Sequence, residues 1–247
     1  MERQYTAGEY GTFFVDTDSN KKMAQLFERN VHPQADELEV FHRYVNSDST
    51  FLDLGAYVGT ISVPMAKVAK AVHSFEPVKE NRDLLERNIQ INNLTNVTVH
   101  PVALGSHAGH VSLTLPNPDY DAASFAVQGE GDIPMVTLDS LSLAPSFIKM
   151  DVEGYEYEVL KGAAGTIQKH KPVIFFEMNM VETRKQGDWW LRRVPGLLRS
   201  YGYELYLPTA TGQKRVRSIA WAMFKQAPKA FLKGGLNYSV NFLAIPK

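Results

Sequence analysis

The sequence contains two short segments whose residue types are suited to chemistry, and the first is TFLDLGAYVGT, from Thr50 to Thr60. Residues with strand propensity lead into two glycines, and a helical pattern follows. Gly55 and Gly59 allow the backbone to turn sharply and to approach a ligand with no Cβ in the way. The unpaired N–H groups of the following helix would face that ligand. The pattern predicts a cofactor site at the carboxyl end of a strand, where open α/β sheets bind their ligands.

The spacing of this glycine turn separates it from two other nucleotide-binding loops. No Gly-Lys-Ser/Thr follows, so the turn is not a Walker loop. Tyr57 occupies the second glycine position of the dinucleotide fingerprint GxGxxG. The spacing that starts at Asp53 is D-x-G-x-x-x-G, which is the looser form used for S-adenosylmethionine.

Glu76 lies 23 residues after Asp53, at the end of a second predicted strand. A carboxylate about twenty residues beyond the glycine turn can accept hydrogen bonds from both hydroxyls of a ribose. The alternative is a structural role beside Pro77, which is suited to open a helix. We expect a later turn, Val102 to Leu104, beside the adenine. The predicted cofactor-binding residues are Asp53, Gly55, Ala56, Tyr57, Gly59, Thr60, Glu76, Pro77, Val102, Ala103, Leu104 and Asp151.

The second segment is FIKMDVEGYEYEVLKGA, from Phe147 to Ala163. Its charged residues crowd the carboxyl end of an apolar strand that is predicted to open into the cleft, so Asp151 and Glu153 are expected to face the ligand. An alternative stays open, in which Lys149 pairs with one acid and Glu153 caps the next helix. The predicted catalytic residues are Lys149, Asp151, Glu153 and Glu177, and no residue is assigned as a metal ligand.

Alternating strands and helices surround these segments and predict a mainly parallel, doubly wound α/β sheet. Residues 1–46 are expected to form an N-terminal cap, and residues 47–247 one domain with a basic insert at about 211–235. The last two strands lack a clear crossover helix, which indicates an antiparallel edge. The predicted strands are Tyr10 to Asp16, Thr50 to Leu54, Ala71 to Pro77, Val97 to Gly105, His110 to Leu115, Ser124 to Gln128, Pro134 to Leu141, Phe147 to Asp151, Pro172 to Glu177, Tyr203 to Leu207 and Tyr238 to Ile245. The predicted helices are Lys21 to Phe27, Glu37 to Val45, Ser62 to Lys70, Asn81 to Asn92, Tyr155 to Lys161 and Trp189 to Ser200.

These motifs together resemble the FkbM-type methyltransferases. The resemblance covers about Phe51 to Asn179 and rests on DLGAYVGT, FEP, VALG, TLDSL and above all IKMDVEGYEYEVLKGA. It implies an S-adenosylmethionine-dependent enzyme that methylates a hydroxyl of a sugar, glycan or secondary metabolite. It also implies a Rossmann-like class I methyltransferase fold with a seven-stranded, mainly parallel sheet, an antiparallel last strand and helices on both faces. The family usually has Asn at the position of Tyr57, whose ring is suited to a cation–π contact with a sulfonium.

Methyl transfer to an alcohol needs a base or a metal, because an alcohol is a poor nucleophile at neutral pH. The candidates for the base are Asp151, Glu153, Glu177 and His107. Asp151, Glu177 and Asn179 are also candidate ligands of a divalent metal. Acids of the catechol-type O-methyltransferases bind a metal at the same fold position. We favour direct contacts of these side chains with the substrate or cofactor over metal use.

Composition excludes several classes of protein. The 247 residues are 44% hydrophobic, include no cysteine and carry a formal net charge of −1. A disulfide scaffold and a thiol nucleophile are therefore excluded, and a dedicated nucleic-acid binder is not favoured. The first ten residues contain no apolar run and no stretch of 18 uncharged apolar residues occurs, so we expect a cytoplasmic protein without a transmembrane segment.

The charge is distributed unevenly, with eleven Lys and Arg against three acids between Glu182 and Lys233. The basic insert from Thr211 to Gly235 also contains Trp221, Phe224 and Phe231. A solvated surface, a substrate-covering lid, a partner surface and a membrane-surface helix are all compatible with this pattern, although Pro228 counts against the last. For an anionic acceptor, the expected receivers are Lys214, Arg215 and Arg217.

The predicted function is thus methyl transfer from S-adenosylmethionine to a hydroxylated small molecule or glycan. One alternative is a non-catalytic cofactor-binding or interaction module, in which the basic insert mediates assembly. Another is an NAD-dependent oxidoreductase on the same type of sheet, against which Tyr57 argues. The sequence leaves the oligomeric state open.

Overall fold

The structure is a computed structural model that describes residues 1–114, 125–128, 131–179, 183, 187–188, 191–231 and 239–247. Within these ranges, the helices are α1 (Lys21–Glu28), α2 (Ala35–Phe41), α3 (Ser62–Ala66), α4 (Lys79–Ile91), α5 (Glu156–Gly162), α6 (Ala164–His170), α7 (Arg193–Ser200) and α8 (Ile219–Phe231). The strands are β1 (Glu2–Thr6), β2 (Thr12–Asp16), β3 (Thr50–Leu54), β4 (Ala71–Phe75), β5 (Val97–His100), β6 (Ala103–Leu104), β7 (Gly109–Thr114), β8 (Phe125–Gln128), β9 (Ile133–Val136), β10 (Phe147–Met150), β11 (Val173–Asn179), β12 (Tyr203–Thr209), β13 (Gly212–Arg215) and β14 (Ser239–Pro246). Short 3₁₀ helices cover Gly8–Tyr10 and Leu138–Leu141.

The main sheet has eight strands in the order β13-β12-β14-β11-β10-β3-β4-β5. Strands β5, β4, β3, β10 and β11 are parallel, and β14 runs antiparallel to both β11 and β12. The order of the two central strands places the carboxyl ends of β3 and β10 next to each other. Since β3 carries the glycine turn and β10 the acidic segment, the fold brings the two chemical segments together.

Strand alternation divides the side chains between two packed faces. Phe51 and Phe147 are in register on β3 and β10, and Phe175 of β11 is paired with Lys149. All three phenylalanine rings pack with Phe41 of α2. The intervening residues, such as Ile148, belong to the core on the other face. Every second residue after Phe147 therefore points toward α2, and Lys149 is the first of them.

Two smaller sheets flank the main one. Strands β6, β9, β7 and β8 form a four-stranded sheet, and β1 pairs with β2 in an antiparallel hairpin. Asn88 of α4 and Asn92, which directly follows α4, bind the hairpin through hydrogen bonds to the backbones of Phe14 and Thr12. The predicted antiparallel reversal near the end of the chain is confirmed. The predicted strands that begin at His110 and end at Gln128 pair as β7 and β8 over their described residues.

Several sequence predictions are wrong in detail. The main sheet has eight strands rather than seven, because β13 adds to its edge. The strand predicted from Val97 to Gly105 is split at Pro101, which has no N–H for a ladder, and its second part joins another sheet. The strand predicted to reach Leu141 ends at Val136. A helix, α8, does lie between β12 and β14.

Other differences concern helices. Helix α3 ends at Ala66 rather than Lys70, α2 begins earlier and ends at Phe41, and α6 was not predicted. Some predictions fall outside the described residues. They concern residues 116–123, the helix start at Trp189, the strand start at Tyr238 and residues 232–235 of the basic insert. No described helix combines the length and apolar character needed to span a bilayer.

Candidate active site

The glycine turn after β3 needs its two glycines for steric reasons. Gly55 has a φ of 84°, and a Cβ there would lie 1.9 Å from the carbonyl oxygen of Asp151. Gly59 has a φ of 88°, and a Cβ there would lie 2.6 Å from Cδ1 of Leu85. Side chains at these positions would separate β3 from the segment after β10 and α4 from the turn. Gly55 thus lets the two chemical segments lie in contact, and Gly59 lets α4 pack against the turn.

Tyr57 lies between these glycines in the left-handed region, with a φ of 52°. Its backbone N–H donates a 2.8 Å hydrogen bond to Oε2 of Glu76, and its hydroxyl donates to Oδ1 of Asn20. The side chain thus ties the residue before α1 to the turn, while the backbone ties the turn to the end of β4. Left-handed backbone is uncommon outside Gly, Asn and Asp, so the two hydrogen bonds offset an unfavourable conformation.

Glu76 is buried, with 5% of its surface exposed, and it lines a cleft rather than facing bulk solvent. Its carboxylate accepts from the N–H groups of Tyr57 and Val78 and from Nδ2 of Asn81 at 3.3 Å. Burial raises the pKa of Glu76, and the two backbone hydrogen bonds oppose that rise. Each carboxylate oxygen has more than one lone pair, so the group can accept further hydrogen bonds from a ligand.

A cleft of about 390 Å³ opens at the carboxyl ends of β3, β4 and β10. This volume lies within the range of small-molecule sites. The predicted site residues that line the cleft are Gly55, Ala56, Tyr57, Thr60, Glu76, Pro77, Val102, Ala103, Leu104, Lys149, Asp151 and Glu153. Three others, Asp53, Gly59 and Glu177, do not line it.

The N-terminal segment provides one wall of the cleft. Its contributions come from Asn20, from Lys22, Met23 and Leu26 of α1, and from Pro33 and Gln34 before α2. Thr60 Oγ1 donates a hydrogen bond to Oε1 of Gln34. Because Tyr57 also bonds Asn20, residues of the glycine turn hold this wall at two points.

Lys149 lies at the bottom of the cleft, where it is buried among acids. Its Nζ lies 3.1 Å from the carbonyl oxygen of Gly55, 3.5 Å from Oδ1 of Asp53 and 3.7 Å from Oδ2 of Asp151. Asp53 has no exposed surface and also accepts a 2.6 Å hydrogen bond from Ser62 Oγ. Asp53 therefore does not line the cleft. It holds Lys149 and Ser62, which lie next to the glycine turn.

Two more carboxylates, Glu37 of α2 and Glu177 of β11, complete this cluster. Glu37 accepts a 3.0 Å hydrogen bond from Nδ2 of Asn241, whose neighbour in the sheet register is Glu177. The side chains of residues 147, 149 and 151 point to one face of the sheet, because side chains alternate along a strand. Those of residues 175 and 177 on β11 point to the same face, and α2 covers it. Lys149 is thus surrounded by four acids: Glu37, Asp53, Asp151 and Glu177.

Burial raises the pKa of three acids of this cluster: Glu37, Asp53 and Glu177. Burial raises the pKa of Glu37 to about 7; Lys149 opposes the rise and Asp151 adds to it. Burial and then the nearby Asp151 raise the pKa of Glu177 well above its ordinary value. For Lys149, burial alone would lower the pKa, but the surrounding carboxylates outweigh it and raise the pKa. The cluster therefore combines a buried cation with a carboxyl group, that of Glu37, which can exchange its proton near neutral pH.

The loop between β10 and α5 resolves the alternative left open for Glu153. Glu156, rather than Glu153, accepts from the N–H groups of Val152 and Gly154, at 3.3 and 3.1 Å. Glu153 has a left-handed φ of 52° and lines the cleft. Lys149 pairs with two acids rather than one.

Oδ1 of Asp151 is buried and accepts no hydrogen bond from any described residue. An unsatisfied buried acceptor is costly, and this one belongs to a side chain that lines the cleft. It is suited to accept from a donor on a bound ligand. Among the described residues, no group of three or more His, Cys, Asp or Glu side chains has the geometry to hold a metal ion.

The methyltransferase FkbM domain is the family whose model matches this chain, over residues 53–205, which is more than half of its length. The chain belongs to the FkbM methyltransferase family. The family match begins at Asp53 and extends through α7 into β12, past the end of the segment on which the resemblance rested.

A hexuronic acid methyltransferase of Haloferax volcanii is 28% identical to this FkbM chain over 155 residues, which are 59% of this chain and 63% of that protein. The match therefore spans less than two thirds of that relative's length. Among solved structures, Trm5b from Pyrococcus abyssi covers 99% of this chain and 55% of its own, with 17% identity and a TM-score of 0.55. That likeness confirms the Rossmann-like fold.

Family membership gives a physical meaning to Tyr57. The asparagine expected at this position tolerates the left-handed backbone well, whereas tyrosine does not. The chain compensates through the hydroxyl bond to Asn20, which an asparagine side chain is too short to make in the same way. The suggested cation–π contact of the Tyr57 ring stays a prediction.

Sequence reasoning missed the contribution of Glu37, Asn241, Asn20 and Gln34 to the site. None of them belongs to a motif, and each reaches the site from outside the two chemical segments. Glu37 and Asn241 are 204 residues apart, and only the packing of α2 on β14 brings them together. Glu177 ends the predicted strand next to β10 and joins the acids around Lys149, but it does not line the cleft, so its catalytic role stays a prediction.

Proposed function

We propose that this FkbM-family chain transfers a methyl group from S-adenosylmethionine to a hydroxyl of a sugar or glycan. The observation that supports this best is the pairing of Glu76 with the glycine turn in one open cleft, with the carboxylate held by the amide of Tyr57. A buried carboxylate at the end of β4 is the expected partner of a ribose diol at this fold position.

The residues present fit the cofactor. Gly55 brings the backbone against Asp151 without a Cβ, and the Asp151 carboxylate offers a buried oxygen that lacks a partner among the described residues. This oxygen is suited to accept from the ammonium group of the cofactor. The apolar side chains of Val102 and Leu104, with Leu113 of β7, form a wall suited to a purine ring.

When bound, S-adenosylmethionine supplies an electrophilic methyl group on a positively charged sulfur. The chain has to position the acceptor oxygen in line with that methyl group and to take up the hydroxyl proton. Asp151, Glu153 and Lys149 line the cleft and are the side chains available to contact the reacting atoms. Nζ of Lys149 lies 3.7 Å from Oδ2 of Asp151, and a carboxylate is the group that can accept the proton.

Glu37 and Glu177 act behind these residues. With its pKa raised to about 7, Glu37 exchanges its proton near neutral pH, where a base works best. We assign both acids as positioning residues, since neither lines the cleft. The sugar acceptor is supported by the hexuronic acid methyltransferase of Haloferax volcanii, and the choice of oxygen as the methylated atom by the resemblance of the acidic segment.

The proposal is tested in two steps. Calorimetry with S-adenosylhomocysteine and with NADH should show binding of the first and none of the second. Transfer of labelled methyl from S-adenosylmethionine into glycan and small-molecule fractions, followed by identification of the product, should then show an O-methylated sugar. Binding without transfer to any fraction would favour a non-catalytic module.

The role of Asp151 is tested with Asp151→Asn once an acceptor is known. Because the substitution keeps the shape but removes the charge, we expect turnover to fall more than affinity for S-adenosylhomocysteine. Asp48→Asn, at an exposed position before β3, is the matched control and should change neither. A larger loss of cofactor affinity than of turnover would limit Asp151 to cofactor binding.

A further inference from the structure

Helix α8 presents an exposed aromatic face that the proposed methyl transfer does not use. Trp221 and Phe224 have 58% and 72% of their surface exposed. They are three residues apart on the helix, so they lie on the same side. No other Phe or Trp side chain that the structure describes is exposed. An exposed pair of large aromatic side chains marks an interaction surface.

The opposite side of α8 is packed into the core. Ile219, Ala222 and Met223 are buried, and they belong to the same hydrophobic cluster as Leu198 of α7 and Val240 of β14. Ser218 accepts a 3.3 Å hydrogen bond from the N–H of Trp221 at the start of the helix. The helix is therefore anchored on one side, and its outward aromatic residues are not the result of a missing core contact. Pro228, which counted against a helix in this segment, does not end it, because α8 continues to Phe231.

The chain segment that carries this aromatic face is rich in cations. The 43 residues from Leu205 to Lys247 contain seven Lys and Arg and no Asp or Glu. Nζ of Lys225 lies 3.9 Å from the centroid of the Trp221 ring, so a positive charge is part of the face itself. Arg215 is paired with Glu204. The other six Lys and Arg of the segment have no acid within the segment to pair with.

This charge distribution decides between the kinds of partner. A second copy of the chain, related by a two-fold axis, would place the same cations against each other, which is unfavourable. An anionic surface is complementary to them. Tryptophan and phenylalanine flanked by lysine are the residues that enter the boundary between headgroups and acyl chains, with the charge left among the headgroups.

We propose that the α8 face, formed by Trp221, Phe224 and Lys225, docks the protein onto the surface of an anionic lipid bilayer. The chain leads from α8 to Ser239, the first residue of β14, which is paired with Asn179 at the carboxyl end of β11. The proposal does not depend on methyl transfer.

The test is co-sedimentation of the full chain with lipid vesicles. Vesicles of phosphatidylcholine with about 30% phosphatidylglycerol should bind the protein, and pure phosphatidylcholine vesicles should bind it far less. Roughly 0.5 M salt should weaken binding to the anionic vesicles, because it screens the headgroup charge. The double variant Trp221→Ala, Phe224→Ala should lower the partition coefficient about tenfold or more, since it removes the inserted apolar area. Lys225→Gln should lower it by a smaller factor.

The matched control is Ile91→Ala with Lys70→Gln, an exposed apolar residue and an exposed cation at other sites. This variant should bind anionic vesicles as the original protein does. Equal binding to neutral and anionic vesicles, or unchanged binding after the Trp221 and Phe224 substitutions, would overturn the proposal. So would light scattering that shows a dimer dissociated by these substitutions together with no vesicle binding. The substituted residues are exposed, so melting temperatures should confirm that all variants fold.

Discussion

The backbone N–H of Tyr57 lies 2.8 Å from Oε2 of Glu76, which joins the glycine turn after β3 to the carboxylate at the end of β4. The contact exists because Tyr57 adopts a left-handed φ of 52° between Gly55 and Gly59. One hydrogen bond thus fixes the relative position of the two parts of the proposed cofactor site.

Substitution of Glu76 should weaken cofactor binding. Glu76→Ala removes a carboxylate that accepts from two backbone amides and is proposed to accept from the ribose. We expect the free energy of S-adenosylhomocysteine binding to fall by roughly 1.5–3 kcal/mol, measured by calorimetry. Glu80→Ala, at an exposed position in the first turn of α4, is the control and should leave the affinity unchanged. Affinity equal to the original protein in Glu76→Ala would remove the basis for the ribose assignment.

Gly55→Ala should destabilise the protein and abolish cofactor binding. The added Cβ would lie 1.9 Å from the carbonyl oxygen of Asp151 in backbone that alanine rarely adopts. A loss of at least about 2 kcal/mol in urea unfolding is expected, since backbone has to move. Gly196→Ala is the control, because a Cβ at this position of α7 meets no atom within 4 Å. That variant should gain roughly 0.5–1 kcal/mol, as alanine favours helix.

The buried pair of Lys149 and Asp53 should be essential as a unit. Lys149→Met leaves the fully buried Asp53 without its cation, and we expect a loss of about 3–5 kcal/mol in urea unfolding. Adding Asp53→Asn should restore part of this loss, because the uncompensated charge disappears. If the double variant were no more stable than Lys149→Met alone, the pair would not be the source of the loss. Lys161→Met, which breaks an exposed pair with Glu158, should cost under about 1 kcal/mol.

Glu156 should make stability depend on pH. Burial raises its pKa in the folded protein to about 7, from an ordinary value of 4.5. The folded state therefore holds this proton more tightly than the unfolded chain. The resulting stability is fully present below pH 4.5 and is lost as the pH rises to 7, a change on the order of 3 kcal/mol.

Glu156→Gln tests this directly, since glutamine can still accept from Val152 and Gly154 but carries no proton equilibrium. The difference in melting temperature, variant minus original protein, should be larger at pH 8 than at pH 5. The exposed Glu39→Gln on α2 should change the melting temperature little at either pH. An advantage of Glu156→Gln that is the same at both pH values would contradict the prediction.

Local patterns were sufficient for the centre of the fold. The apolar run before Gly55, the glycine spacing and the acidic segment after Phe147 each predicted a strand followed by a turn, and β3 and β10 have these bounds to within a residue. They succeeded because strand propensity and glycine geometry act over a few residues. The strand split at Pro101 and the 3₁₀ helix at Leu138 were missed, because which sheet a short strand joins depends on distant partners.

The sequence by itself determined the family, the main strands around the cleft and about half of the residues that line it, since these lie in short continuous motifs. Tertiary structure alone decided that Asp53 lies below the cleft, that Glu37 and Asn241 join the acids around Lys149, and that Glu156 rather than Glu153 holds the loop after β10. The physical reason is that burial, pKa and hydrogen-bond partners are set by side chains that approach from distant parts of the chain, and no local pattern records that approach.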